Sequence, residues 1–143
     1  IESIGDMIET NLVDAGRARL KSQLQISEET EQVLSALNTE VTRATESAIR
    51  AIVSNDTEIA RKVAEAKAEI NRLAAAAEVH LSRRLAADAP NRLAMFRLES
   101  EIMEYLKRMY YFAKRIAKLT RDDQLGEAVE SPETEPQKEK VEA

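Results

Sequence analysis

Several residue types are scarce in this sequence of 143 residues. It has no cysteine and no tryptophan, and only three glycines and three prolines. The absence of cysteine excludes disulfide bonds, thiolate zinc sites and cysteine nucleophiles. So few glycines and prolines cannot supply the many turns of a β-sandwich or β-barrel. No apolar run approaches the roughly 18 residues needed to span a bilayer, and no secretory signal is visible.

Alanine, aliphatic and charged residues dominate what is present. Hydrophobic residues make up 43% and charged residues 33%, a mixture typical of long helices or coiled coils. Because there are only two phenylalanines and three tyrosines, the core must be mainly aliphatic. The length suits one compact domain. Since the sequence starts at Ile1 inside a helical pattern, we expect it to be a fragment of a longer protein.

Acidic residues are concentrated at the C-terminal end. Eight acidic and two basic residues lie from Asp122 onward, which gives that segment a charge of −6. The net charge of the whole chain is −5, so residues 1–121 sum to about +1. A nearly neutral domain lacks the basic footprint of a duplex-binding protein, and we expect no nucleic-acid partner. Its composition and two prolines predict that segment 122–143 is an acidic disordered tail.

The spacing of apolar residues predicts four helices, over about residues 1–25, 28–54, 57–87 and 91–120. In each helix the apolar residues recur three or four positions apart and form one stripe. The predicted stripes are Ile1, Ile4, Ile8, Leu12 and Ala15; Leu34, Leu37, Val41, Ala44, Ala48 and Ala51; Ile59, Val63, Ala66, Ile70, Leu73 and Ala77; and Leu98, Ile102, Tyr105, Met109, Phe112, Ile116 and Leu119.

The breaks between these helices are short and polar. Ser27 is expected to cap the second helix and Asp56 or Thr57 the third, while Pro90 suits the first turn of the fourth. Short connections make neighbouring helices antiparallel. The sequence therefore predicts an all-α, antiparallel up-down helical bundle over residues 1–121.

Two carboxylates near the start of the chain are a candidate metal site. Glu2 and Asp6 lie four residues apart, so they share one face of a helix and could hold a cation if other helices add ligands. Glu9 lies on an adjoining strip, and Asn11 follows nine residues after Glu2. The alternative is a solvated acidic first turn, which also suits a helix N-terminus.

Cations alternate with aromatic residues near the end of the fourth helix. The candidate patch consists of Lys107, Arg108, Tyr111, Lys114 and Arg115. It could face a partner protein or a membrane, stack on nucleobases, or be an ordinary solvated face with cations near a helix C-terminus.

No set of residues in the sequence assembles into a recognisable catalytic site. His80 is the single histidine, and no carboxylate lies four residues from it, so a structural, hydrogen-bonded role is expected. There is no phosphate-binding glycine loop and no Ser-His-Asp set. We therefore expect a regulatory or interaction domain and not an enzyme.

Two stretches of the sequence resemble a known family. Residues 2–12, which read ESIGDMIETNL, resemble the signature of PhoU-type domains, in which a helix carries Glu-Arg-Ile-Gly/Ala-Asp-His followed by an Asn and an aliphatic residue. Residues 105–109, which read YLKRM, and Ile116 look like a second copy. PhoU-type proteins are two repeated three-helix bundles, each ending in the motif helix. The resemblance implies that this chain is the last helix of one repeat plus all of the next.

The departures from the family pattern bear on metal binding. In the family, paired acidic motifs can bind metal clusters. Glu2 and Asp6 match the first motif, but Met7 replaces its His. In the second copy, Lys107 stands where the Glu belongs and Tyr111 where the Asp belongs. The resemblance therefore implies at most a weak divalent or ferric ion site at Glu2 and Asp6, and no other cofactor.

The sequence looks most like the cytoplasmic C-terminal domain of bacterial sodium/phosphate cotransporter family proteins. That likeness implies an accessory domain at the cytoplasmic face of the plasma membrane, which contacts the transmembrane part of the same chain. The alternatives are a soluble PhoU-like regulator that binds a phosphate transport or sensor complex, and a coiled-coil scaffold that forms homo-oligomers through its heptad seams.

Overall fold

The computed structural model describes residues 2–21, 26–86 and 91–129, with the side chains of most of them. The elements are α1 (Glu2–Asp6), a π-helix (Met7–Leu12), α2 (Val13–Lys21), α3 (Glu28–Ser54), α4 (Thr57–Glu65), α5 (Lys67–Leu85) and α6 (Arg92–Val129). No strand occurs in these ranges, which confirms the prediction of an all-α bundle.

Helix α6 is the element around which the others pack. It contacts α3, α4 and α5, and the N-terminal helices also rest on it. The predicted stripe of α3 is confirmed throughout, because all six of its residues are buried. The alanines of that stripe let α4 approach closely, and Leu37, Val41, Val63 and Ile70 fill the space between the helices. This core fixes the faces of α4 and α6 relative to each other.

Polar side chains cap the helices at the two breaks that the structure describes. Ser27 Oγ accepts a hydrogen bond from the Thr30 amide at 3.2 Å, and Asp56 Oδ1 accepts from the Glu58 and Ile59 amides at 2.9 and 3.1 Å. These bonds satisfy amides that have no partner inside the helix. Ser27 is thus confirmed as a cap, and Asp56 caps α4. Pro90 lies outside the described residues.

The third predicted helix is interrupted at Ala66, where α4 ends and α5 begins. The apolar stripe runs through this position without a change of spacing, so the break could not be predicted. The Tyr110 hydroxyl donates to the carbonyl oxygens of Val63 at 2.9 Å and Ala64 at 3.5 Å, just before the interruption. A carbonyl oxygen can accept two hydrogen bonds, so these contacts leave room for the backbone bonds that continue here, from the Ala66 amide to Lys62 at 3.2 Å and from the Ile70 amide to Ala66 at 3.0 Å. Burial also raises the pKa of Tyr110 to about 12.

The fourth helix is longer than predicted, and its stripe is only partly correct. Helix α6 continues to Val129, so residues 122–129 are helical and not part of a disordered tail. No proline occurs before Pro132 to stop the helix. Leu119 was expected in the stripe but is 59% exposed, whereas Leu98, Met109 and Ile116 are buried as predicted. The remaining tail, residues 130–143, lies outside the described residues.

The stripe predicted for the first helix is wrong at Ile8, which is 42% exposed. Met7 is buried instead, whereas Ala15 is buried as predicted. A π-helix closes i→i+5 hydrogen bonds and places more residues in each turn than an α-helix does, so the register of the buried face shifts. Ile1 and the side chains of Ile4 and Leu12 lie outside the described residues.

Candidate functional site: a cationic cleft between α4 and α6

An open cleft of about 330 Å³ lies between α4 and the second half of α6. We call it the cationic cleft. Its floor consists of Ala60, Ala64 and Ala117, and its rim carries Tyr111, Lys114, Arg115, Lys118, Arg121 and Asp122. A second cleft of about 170 Å³ adjoins it and shares Tyr111 and Lys114. Both clefts are lined by residues of α6.

Helical periodicity places these side chains on one face. Lys114, Lys118 and Arg121 are four and three residues apart, so they project from the same side of α6. Ala60 and Ala64 are four apart on α4 and face them. Because alanine has only a methyl group, the two helices leave space where larger side chains would have filled the gap. The cleft is thus a consequence of small residues opposite long cations.

The cationic cleft carries an excess of positive charge. Four cations and one carboxylate line it, which leaves a net charge of +3. None of these cations forms an ion pair with any side chain that the structure describes. Lys114 Nζ lies 5.3 Å from the centroid of the Tyr110 ring, and Arg115 Cζ lies 5.7 Å from that of Tyr111. Cation–π contacts orient a cation without neutralising it.

Three of the five residues predicted as a patch line this cleft, namely Tyr111, Lys114 and Arg115. Arg108 is exposed but lines neither cleft. Lys107 borders the smaller cleft and is paired with Glu78 at 3.0 Å and Glu104 at 3.2 Å. The hydrogen bond to Glu78, with help from Glu104, raises the pKa of Lys107. Lys107 therefore ties α6 to α5 and is not a free cation.

Sequence reasoning missed Lys118, Arg121 and the two alanines of α4. A continued i, i+4, i+7 count from Lys114 could have found both cations. The alanines could not be assigned to a cleft, because a small residue on a helix usually signals close packing. The cations of the patch do not lie at a helix C-terminus, whereas an ordinary solvated face stays an open alternative. Since α6 runs on to Val129, Lys114 lies about four turns before its end, and a helix dipole acts only within the last turn.

The two carboxylates predicted to bind metal are exposed on α1, and so is Glu9 of the π-helix. No group of three or more aspartate, glutamate or histidine side chains comes together among the described residues. A pair of carboxylates from one helix supplies too few oxygen ligands for a closed site. The weak site at Glu2 and Asp6 stays a prediction, and the side chain of Asn11 lies outside the described residues.

A second group of polar residues lies at the opposite end of the bundle, and we call it the polar cluster. It consists of Ser27, Thr30, His80, Arg84 and Glu99. Thr30 Oγ1 and His80 Nε2 are hydrogen-bonded at 2.8 Å, and Arg84 donates to the hydroxyls of Ser27 and Thr30. The expectation that His80 is a hydrogen-bonded structural residue is confirmed. These bonds fasten the start of α3 to the end of α5.

Glu99 is the buried acid of the polar cluster, with only 1% of its surface exposed. Burial raises the pKa of its carboxyl, and the nearby charges of Arg84 and Arg92 oppose that shift. Glu99 could not be singled out from the sequence, since an acid inside a helical run looks like any solvated glutamate. Because Glu99 is buried close to Arg84 and Arg92, these two cations interact with a group inside the fold.

Comparisons with known proteins agree with the architecture. The model of the PhoU domain family matches residues 34–120, which is more than half of the chain. No curated protein and no solved structure matches the chain. None of the described helices is long and apolar enough to cross a membrane. The matched segment contains α4, α5, most of α3 and most of the cationic cleft. The chain belongs to the PhoU domain family.

Proposed function

We propose that this chain is the regulatory PhoU domain of a sodium-dependent phosphate cotransporter family membrane protein, and that it has no catalytic activity of its own. Family membership supports a phosphate-related regulatory role. In this proposal the domain lies at the cytoplasmic face of the plasma membrane. It contacts the transmembrane part of the transporter through the exposed side of α6.

One observation carries the proposal. The second copy of the family motif has lost its acidic residues, and Lys107 at that place is engaged by Glu78 and Glu104. A cation held in two ion pairs opposes a metal cluster there, both by charge and by the loss of a donor oxygen. The exterior of α6, with Arg108, Tyr111 and Arg115 exposed, is then the surface left to meet a partner.

Phosphate uptake by cells that depend on the full-length protein tests the proposal. The variant Arg108→Glu/Arg115→Glu reverses two charges on this surface and leaves the core intact. We expect uptake to change several-fold at equal protein level, because charge reversal at an interface disfavours docking. The control variant Arg50→Glu/Arg83→Glu makes the same change at exposed positions of α3 and α5. Equal uptake in all three strains would contradict the proposal.

The second candidate is a soluble PhoU-like regulator that binds a phosphate transport or sensor complex. Family membership supports it equally well. The full-length gene discriminates, because the cotransporter requires several apolar segments of about 20 residues elsewhere in the chain. A coiled-coil scaffold is disfavoured, since the seam of α3 is filled by α4, α5 and α6 of the same chain.

A further inference from the structure

The cationic cleft brings together four cations that have no ion-pair partner among the described side chains. Arg43, Arg61 and Arg72 each pair with a glutamate three or four residues away on the same helix. Lys114, Arg115, Lys118 and Arg121 have no such partner among the described side chains, although they lie within two turns of α6. Like charges on one face of a helix repel one another, and an anion bound among them relieves that repulsion.

From this arrangement we propose that the cationic cleft binds a small anionic ligand that carries two or more phosphate groups. Guanidinium groups bind phosphate oxygens in pairs, and lysines add point charges to the same oxygens. Two arginines and two lysines converge on one cleft here. The phenol of Tyr111, 49% exposed on the rim, adds a further hydrogen-bond donor.

The number of phosphate groups follows from the charge. A single phosphate group carries about −1.5 to −2 at neutral pH. The cleft has a net charge of +3, so one group leaves part of it uncompensated and also meets Asp122 at the rim. Two or three linked groups carry enough negative charge to match the cleft and can contact more than one of its cations.

The shape of the cleft favours a small molecule over a flat partner. A volume of about 330 Å³ lies at the lower end of the range for ligand pockets, which is about 300 to 1,000 Å³. The methyl groups of Ala60, Ala64 and Ala117 make an apolar floor on which an organic part of the ligand can rest. A membrane surface would instead be met by a convex face. This inference concerns what the chain itself binds and does not depend on the transporter assignment.

Calorimetric titration of the chain with inorganic tripolyphosphate tests the proposal. Parallel titrations use orthophosphate and sulfate, which each carry a single anionic group. A further titration uses phosphatidylcholine vesicles that contain phosphatidylglycerol, which tests binding to a lipid surface. We expect saturable binding of tripolyphosphate at one site, at least about tenfold tighter than either single anion, which corresponds to 1.4 kcal/mol. Binding to the vesicles without binding of tripolyphosphate would overturn the proposal in favour of a membrane surface.

Matched variants separate a cleft from diffuse attraction. Lys118→Gln/Arg121→Gln removes two cations of the cleft, and both exposed positions keep a good helix former. We expect the affinity for tripolyphosphate to fall by about tenfold or more, since charged hydrogen bonds are lost. The control Arg50→Gln/Arg97→Gln makes the same change in net charge elsewhere and should alter affinity by less than about twofold. No binding at all, or an equal loss in both variants, would overturn the proposal.

Discussion

The two ends of the bundle use the same residue types in different ways. At one end, Arg84 of the polar cluster is committed to the hydroxyls of Ser27 and Thr30 and lies near the buried Glu99. At the other end, the arginines and lysines of the cationic cleft have no acidic partner among the described side chains. The polar cluster therefore belongs to the stability of the fold, and the cationic cleft is available to a ligand or partner.

The largest expected effect tests whether one core holds both ends together. Leu37 is completely buried between the helices. Leu37→Ala should lower the free energy of unfolding by about 2 to 5 kcal/mol, because it leaves a cavity that neighbours fill only in part. Urea denaturation followed by circular dichroism measures it. Val53→Ala, at an 82% exposed position, should stay within about 0.5 kcal/mol. Equal losses of unfolding free energy in Leu37→Ala and Val53→Ala would show that the core around Leu37 does not stabilise the bundle.

The next largest effect compares one arginine from each end. Arg84→Gln should cost about 1 to 3 kcal/mol, because buried hydroxyls lose a charged donor and Glu99 loses a nearby positive charge. Arg121→Gln should change stability by less than about 0.5 kcal/mol. Both values come from denaturant unfolding of the full chain. If Arg121→Gln lowered the free energy of unfolding as much as Arg84→Gln does, the proposed difference between the two ends would be wrong.

Two adjacent tyrosines sharpen the comparison within α6. Tyr110→Phe should cost about 1 kcal/mol, since the buried hydroxyl no longer donates to the Val63 carbonyl. Tyr111→Phe should be neutral for stability, because that ring lies on the rim of the cationic cleft. Thermal unfolding of the two variants in parallel provides the measurement. The reverse order of stabilities would refute the assignment of the buried and the exposed ring.

The smallest expected effect is a change in pH dependence from Glu99. Its raised pKa means that the folded state holds the proton more tightly than the unfolded chain does. Its contribution to stability is thus full below the ordinary carboxyl pKa and is lost as pH rises through the raised value. Glu99→Gln cannot ionise, so the variant should gain stability relative to the parent as pH increases from about 4 to about 7. A difference that stays constant with pH would contradict a buried, ionising Glu99.

The fold could be predicted from the sequence wherever burial followed a regular helical period. The stripe of α3 is an example, because Leu37, Val41 and Ala44 repeat without interruption. The prediction failed where the local geometry departed from a regular α-helix. The interruption at Ala66 lies next to carbonyls that accept from Tyr110, which is 44 residues away in the sequence, and Ile8 was misplaced because the π-helix altered the register.

The candidate site was predictable only in part, for a physical reason. Lys114, Arg115 and Tyr111 stood out as cations next to aromatics and do line the cleft. Lys107 stood out in the same way but is held in ion pairs. Its two acidic partners include Glu78 on another helix, and a single sequence does not show which cation will meet such a partner. The concave shape depends on Ala60 and Ala64, whose position opposite α6 follows from tertiary packing alone.

Side-chain NMR of the arginines and lysines during a tripolyphosphate titration tests the central claim most directly. We expect the resonances of Arg115, Lys118 and Arg121 to shift together and saturate, while those of Arg84 and His80 stay unchanged. Shifts of equal size for exposed cations on every helix, or shifts confined to the polar cluster, would show that the cationic cleft is not the site at which this domain meets its ligand.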